Sequence, residues 1–127
     1  MRNYQRTRNN PYYLPHNVYM QALYMVRDYG RLCETRQEII TAVPAPGPRV
    51  ESGPGDPTAR KAALIESISE RIYAIEGALS SIPAEYRTNI MNHIQGGGVD
   101  LTAISEATWR RWRARLLYYV AQRMRWI

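Results

Sequence analysis

Lysine is almost missing from this chain. Lys61 is the only one, so nearly all of the positive charge is arginine. Cysteine is too scarce for an internal disulfide, because Cys33 stands alone, and a reducing compartment, the cytosol, is expected. No stretch approaches the ~20 consecutive apolar residues that span a bilayer, which argues against a membrane as partner. The opening MRNYQRTRNN has no apolar core of the kind a signal peptide needs. Motifs for catalysis and metal binding are missing as well. There is no CxxC, no HExxH and no paired-histidine spacing, and His16 and His93 lie far apart. The glycines before residue 57 do not spell GxxxxGK[ST] and follow no strand, so a phosphate loop is excluded. Glu34/Glu38 and Glu66/Glu70 are four apart on helical segments, as ordinary solvated acids are. No enzymatic activity, cofactor or metal is expected.

What is present is arginine, and its placement is uneven. Residues 1–14 carry Arg2, Arg6 and Arg8 and no acid; residues 108–127 carry six arginines and no acid. The net charge of +6 therefore sits at the two ends. Arginine presents a planar fork of donors that matches phosphate and guanine edges, so this localisation points to nucleic acid.

The final stretch, TWRRWRARLLYYVAQRMRWI, reads as one amphipathic helix. Trp109, Trp112, Leu116, Val120 and Met124 recur at spacings of three and four and form one stripe, which Leu117 and Tyr119 widen. Thr108 is placed as the N-cap. Arg110, Arg111, Arg115, Gln122 and Arg125 fall on the opposite face, with Tyr118 among them. Arg113 and Arg123 lie nearer the buried side and must snorkel or pair.

Residues 1–14 show no helical or strand period and read as a flexible basic arm, an untethered terminus rather than a DNA-reaching one. Pro15 then suits a helix start. Residues 16–42 read as one long helix with a heptad-like seam of Tyr19, Ala22, Val26, Tyr29, Cys33, Arg36 and Ile40, weakened at Gly30. Cys33 is expected as a small buried hydrophobe. Residues 43–57, VPAPGPRVESGPGDP, are too rich in proline and glycine for regular structure and form a linker. Asp56 and Pro57 can open a further helix over 58–82, whose seam Ile65, Ile68, Ile72, Ile75, Leu79 and Ile82 alternates three and four throughout. The two seams suit an antiparallel hairpin within one chain, or pairing between two copies as a homodimer.

Pro83 closes that helix. Residues 84–95 read as a short helix stopped by Gly96-Gly97-Gly98. Asp100 can cap a brief helix through LTAISEA before the basic helix begins. Helix, short helix, basic helix is the order of a helix-turn-helix, with the last as recognition helix. The fold class is thus all-α: a long antiparallel helix pair over 15–82, and a C-terminal helix-turn-helix over 83–127. Thr108, Arg110, Arg111 and Arg115 would meet the groove. Arg87 would touch backbone, and Gln122 and Arg125 share the polar face.

ALSSIPAEYRTNIMNHIQ, followed by ATWRRWRARLLYYVAQRM, resembles phage transcriptional regulators of the RinA and ArpU type, small late-gene activators of phages and prophages. YYLPHNVYMQALYMVRDYGRL and GDPTARKAALIESISERIYAIEGAL are similar to the same group, and the resemblance covers about residues 12–124. It implies a C-terminal domain like region 4 of bacterial sigma factors, with Thr108 through Arg115 starting the recognition helix. It also implies double-stranded late-promoter DNA and host RNA polymerase as partners, in the bacterial cytoplasm at the nucleoid. The span from Gly96 to Thr108 is short for a standard sigma-type second helix and turn. The alternative is an all-helical structural module, or a small-terminase-like subunit of a DNA-packaging machine.

Overall fold

The computed structural model describes residues 5, 9–42, 57–96 and 105–127, and among them all regular structure is helical. Helix α1 spans His16–Arg27, α2 Tyr29–Thr41, α3 Pro57–Ser80, α4 Ala84–Ile94 and α5 Glu106–Arg123. No helix of the described residues is long and apolar enough to cross a membrane.

The seam of α3 behaves as its spacing predicts. Ile68, Ile72 and Ile75 are buried, with Ala74 and Ala78 beside them, and Ile82 is buried just past the helix end. Leu79 packs partly against the same core. At Gly77 the absence of a Cβ matters: one added there would come within 2.5 Å of the Arg123 guanidinium, which lies flat across α3. That contact joins α3 to α5 near the C-terminal ends of both.

The expected single helix over 16–42 is two helices. The chain breaks at Asp28, which takes φ −83° and ψ 2° and accepts from Leu32 N–H through its carbonyl at 2.8 Å. The heptad seam runs through the break without interruption, but its partners change. Tyr19, Ala22 and Val26 are buried where α1 meets α5 and α4, whereas Tyr29 and Arg36 reach α3. One straight helix cannot face both sets, and a single non-helical residue turns it. The antiparallel pairing expected over 15–82 is therefore confined to α2 and α3. Its register follows from two side-chain bonds: the Tyr29 hydroxyl donates to Glu76 Oε2 at 2.8 Å, and Arg36 Nη1 donates to Ser69 Oγ at 3.3 Å.

Helix ends are closed by side chains and by handed turns. Arg87 donates from Nε to the Ile82 carbonyl at 2.8 Å and from Nη2 to the Ser80 carbonyl at 3.1 Å. It sets a cation where the α3 dipole is negative. Helix α4 ends at Gly96, whose φ of +92° suits a residue without a Cβ. At the end of α5, Trp126 N–H bonds the Ala121 carbonyl and Arg125 N–H the Gln122 carbonyl, at 2.9 and 3.1 Å. This is a Schellman turn with Arg125, at φ +60°, in the position glycine usually fills.

Thr108 is not the N-cap of the last helix. Ser105 is: its Oγ accepts from Thr108 N–H at 3.2 Å and lies 2.7 Å from Thr108 Oγ1. Glu106 and Ala107, expected in the brief second helix, form the first turn of α5. The remainder of that expected helix, and the linker over 43–56, lie outside the described residues.

The N-terminal segment is docked where it is described. Leu14 is fully buried, and Gln5 holds its backbone by two bonds of 2.9 Å, Nε2 to the carbonyl and Oε1 from the N–H. Tyr12 meets the rings of Tyr118 and Tyr119 edge-on, with centroids 5.4 and 6.1 Å away. The untethered arm expected over 1–14 does not hold where the chain is described, since Gln5, Tyr12 and Leu14 are tied to the helical core or to one another; residues 1–4 and 6–8 lie outside the described residues.

Candidate nucleic-acid interface

Helix α5 is the central element of the fold and touches α1, α3 and α4. Trp109, Leu116, Leu117, Val120 and Ala121 are buried along one face, as the spacing requires, while Trp112 and Met124 are partly covered. The six arginines of the stretch do not form one charged face. They divide by what each side chain touches.

Arg113 is buried, with 8% of its surface exposed, and has no carboxylate partner among the described residues. Its Nη2 donates to the Tyr19 hydroxyl at 3.2 Å, its Nη1 lies 3.2 Å from His93 Nε2, and the group sits 5.5 Å from the Trp109 ring centroid. Burial pushes the guanidinium below its ordinary pKa. His93 is packed against Trp109, with ring centroids 3.9 Å apart. Its imidazole is held below the usual 6.5, first by burial and then by the charges of Arg113, Arg110 and Arg27. A neutral His93 with an unprotonated Nε2 can accept from Arg113 Nη1.

Arg115 is committed to aromatic rings. Its guanidinium lies between Tyr12 and Trp112, at 4.8 and 4.6 Å from their centroids, and its Nε is buried without a hydrogen-bond partner. Trp112 in turn leans on Tyr86 at 6.4 Å. Each such stack contributes about 0.5–1 kcal/mol, more where water is excluded. Arg123 lies over Gly77, and Arg125 occupies the closing turn with its side chain exposed. Arg87 is bound to the end of α3, as described above.

Arg110 and Arg111 remain open to solvent, in the first turns of α5. Arg110 pairs with Glu106 at 2.5 Å, an exposed contact worth little in water. Arg111 is exposed and has no partner among the described residues, and Gln122 is likewise exposed near the far end. Thr108 is half-buried in the cap. Arg27, at the end of α1, joins the Arg110 side of the site. Its Nε donates to the Ile94 carbonyl at 3.0 Å, and its charge acts on both His93 and Arg113.

The structure therefore brings Arg110 together with Arg27, His93 and Arg113, leaves Arg111 exposed on another side of α5, and places Arg87, Arg115 and Arg125 elsewhere. Sequence reasoning missed Arg27, His93 and Tyr12. Arg27 and His93 are single polar residues on separate helices, and Tyr12 lies in a segment with no period. No group of three His, Cys, Asp or Glu converges among the described residues in a way that would hold a metal. Comparison with known protein families, with curated proteins and with solved structures finds no match to this chain.

Proposed function

We propose that the chain is a duplex-DNA-binding transcriptional regulator of the late-gene type, in which α4 through α5 serve as a helix-turn-helix like that of sigma region 4. The observation that carries this reading is the cationic cluster at the start of α5. Arg110 and Arg111 are exposed, Arg27 shares with Arg110 the surroundings of His93 and Arg113, and Glu106 is the only carboxylate paired there among the described residues. The N-terminal turns of a recognition helix are where base edges are met, and guanidinium groups supply both phosphate and guanine contacts. Arg27 then takes a phosphate contact, while Arg113 and Arg115 hold α5 in place from below. The resemblance to RinA- and ArpU-type regulators supplies the promoter class and host RNA polymerase as second partner.

A second reading, a structural or packaging module, is favoured by one feature. Helix α5 is also the central packing helix, and most of its arginines are used within the chain. The two readings part on salt and sequence. Duplex binding across a tiled late-promoter region, at two salt concentrations, tests them. Tight binding to one tile that persists at physiological salt supports the regulator. Uniform binding that collapses as salt rises supports the module. Arg110→Ala combined with Arg111→Ala is expected to abolish tile-specific binding and leave the helical signal unchanged. Unchanged specificity in that variant refutes the assignment.

A further inference from the structure

Around the first two turns of α5, positive charge gathers with one acid to balance it. Trp109 is the centre. The Arg110 and Arg113 guanidinium carbons lie 5.9 and 5.5 Å from its ring centroid, and the His93 ring centroid lies 3.9 Å away. Arg27 enters from α1, since its Nε donates to the carbonyl of Ile94, the residue after His93. Three guanidinium groups from two helices thus share one neighbourhood. Glu106, on Arg110, is the only carboxylate paired with any of them among the described residues, so two of the three cations have no counter-ion there. A donor is left over below the surface as well: Trp109 Nε1 is buried and has no acceptor.

By itself this arrangement is unfavourable. Cations brought this close repel one another, and burial of Arg113 removes the water that would screen them. An anion among them would relieve the repulsion. The parts are also fixed in place. Arg113 is held by the Tyr19 hydroxyl and by His93 Nε2, each at 3.2 Å, and Arg27 is held by the end of α4. Arg27 and Arg110 are exposed, so a ligand reaches them from solvent. Guanidinium forks on separate helices, a net positive charge and an open side suit a tetrahedral oxyanion.

We propose that Arg27, Arg110 and His93, backed by Arg113, form a seat for one phosphate-class oxyanion. Arg27 and Arg110 grip the anion from α1 and α5. Arg113 adds its charge from beneath and fixes the His93 ring. A bound anion favours the protonated imidazole, so His93 turns from a neutral neighbour into a further cation of the seat. The charged and titratable groups around that ring are Arg27 and Tyr19 of α1, and Arg110, its partner Glu106, and Arg113 of α5. The seat deepens the DNA-binding reading, in which the oxyanion is a backbone phosphate; free phosphate offers the same chemistry.

Proton NMR titration of the full chain tests the seat without DNA, so its failure and that of the DNA reading are separate results. Sulfate is the probe, because it stays a dianion across the titration, and chloride at equal ionic strength is the reference. Saturating sulfate is expected to raise the His93 midpoint by about half a unit, which is a preference of about threefold for the protonated form. The signal of His16, the other histidine, reports the general effect of salt. Arg27→Gln with Arg110→Gln is expected to abolish the shift. Arg60→Gln, which removes a charge at the far end of α3, is expected to leave it. A short duplex that moves His93 as sulfate does assigns the anion to a DNA backbone. A duplex without effect, beside sulfate that acts, assigns it to a free oxyanion and counts against the DNA reading alone. Three results overturn the proposal: a midpoint indifferent to sulfate, one that still moves in the double variant, or one that moves only after Asp100→Asn has removed the acid between α4 and α5.

Discussion

Lowering the pH from 8 to 5 is expected to destabilise this protein through one histidine. His93 is neutral in the folded chain because burial, and then Arg113, Arg110 and Arg27, oppose its protonation. In the unfolded chain it titrates near the ordinary 6.5. Above that pH both states are neutral at His93 and the full stability is present. Below it the unfolded chain binds a proton that the folded one refuses, so stability falls until the pH passes the depressed folded value. One proton sets the limiting slope at about 1.4 kcal/mol per pH unit. Protonation also removes the acceptor that Arg113 Nη1 uses at 3.2 Å, and sets two cations side by side. Urea unfolding in half-unit pH steps reads this directly, and His93→Gln, which carries no titratable group, is expected to flatten the profile between pH 6.5 and 5. A wild-type profile that is flat over that range, or one that His93→Gln leaves sloping, refutes the reasoning.

Two further outcomes follow from the ends of α5. Arg125→Gly is expected to raise stability by about 1 kcal/mol, since φ +60° strains any residue with a Cβ; Arg125→Ala keeps the Cβ and brings no such gain in thermal unfolding. Ser105→Ala removes the oxygen that accepts from Thr108 N–H and is expected to cost about 1 kcal/mol in urea unfolding, with Ser105→Asp retaining most of it.

The parts of the fold that a period specifies were legible in the sequence. Ile68, Ile72, Ile75 and Ile82 are buried in the order their spacing dictates, as are Trp109, Leu116 and Val120. Pro83 and Gly96 bound α4 where their backbone preferences require. Arg113, placed toward the buried side by its position four residues after Trp109, is buried. Other features depend on which surfaces meet, and periodicity is silent on that. The break at Asp28 leaves the heptad seam in register and changes only what the seam faces. The N-cap moved from Thr108 to Ser105 because both carry a hydroxyl, and the first turn of α5 starts within a stretch that also reads as a separate helix. Arg115 falls on the polar face as its position predicts, yet it is enclosed by Tyr12, a residue 103 positions away in a segment without pattern. The sequence places the candidate arginines on α5; which of them stay free was not legible, because that depends on α1, α3 and the N-terminal segment.

Arg113 also has a mechanical consequence. Its guanidinium holds the Tyr19 hydroxyl of α1 with one nitrogen and faces the His93 ring of α4 with another. Helix α1 is pinned to α4 and α5 at one rigid planar group, three residues along from Arg110. A load applied at Arg110 therefore does not stay on α5: it reaches α1 and α4 through the same pin. A lysine at this position would keep the charge and lose the linkage, because a single ammonium on a flexible stem cannot hold two partners in a fixed plane.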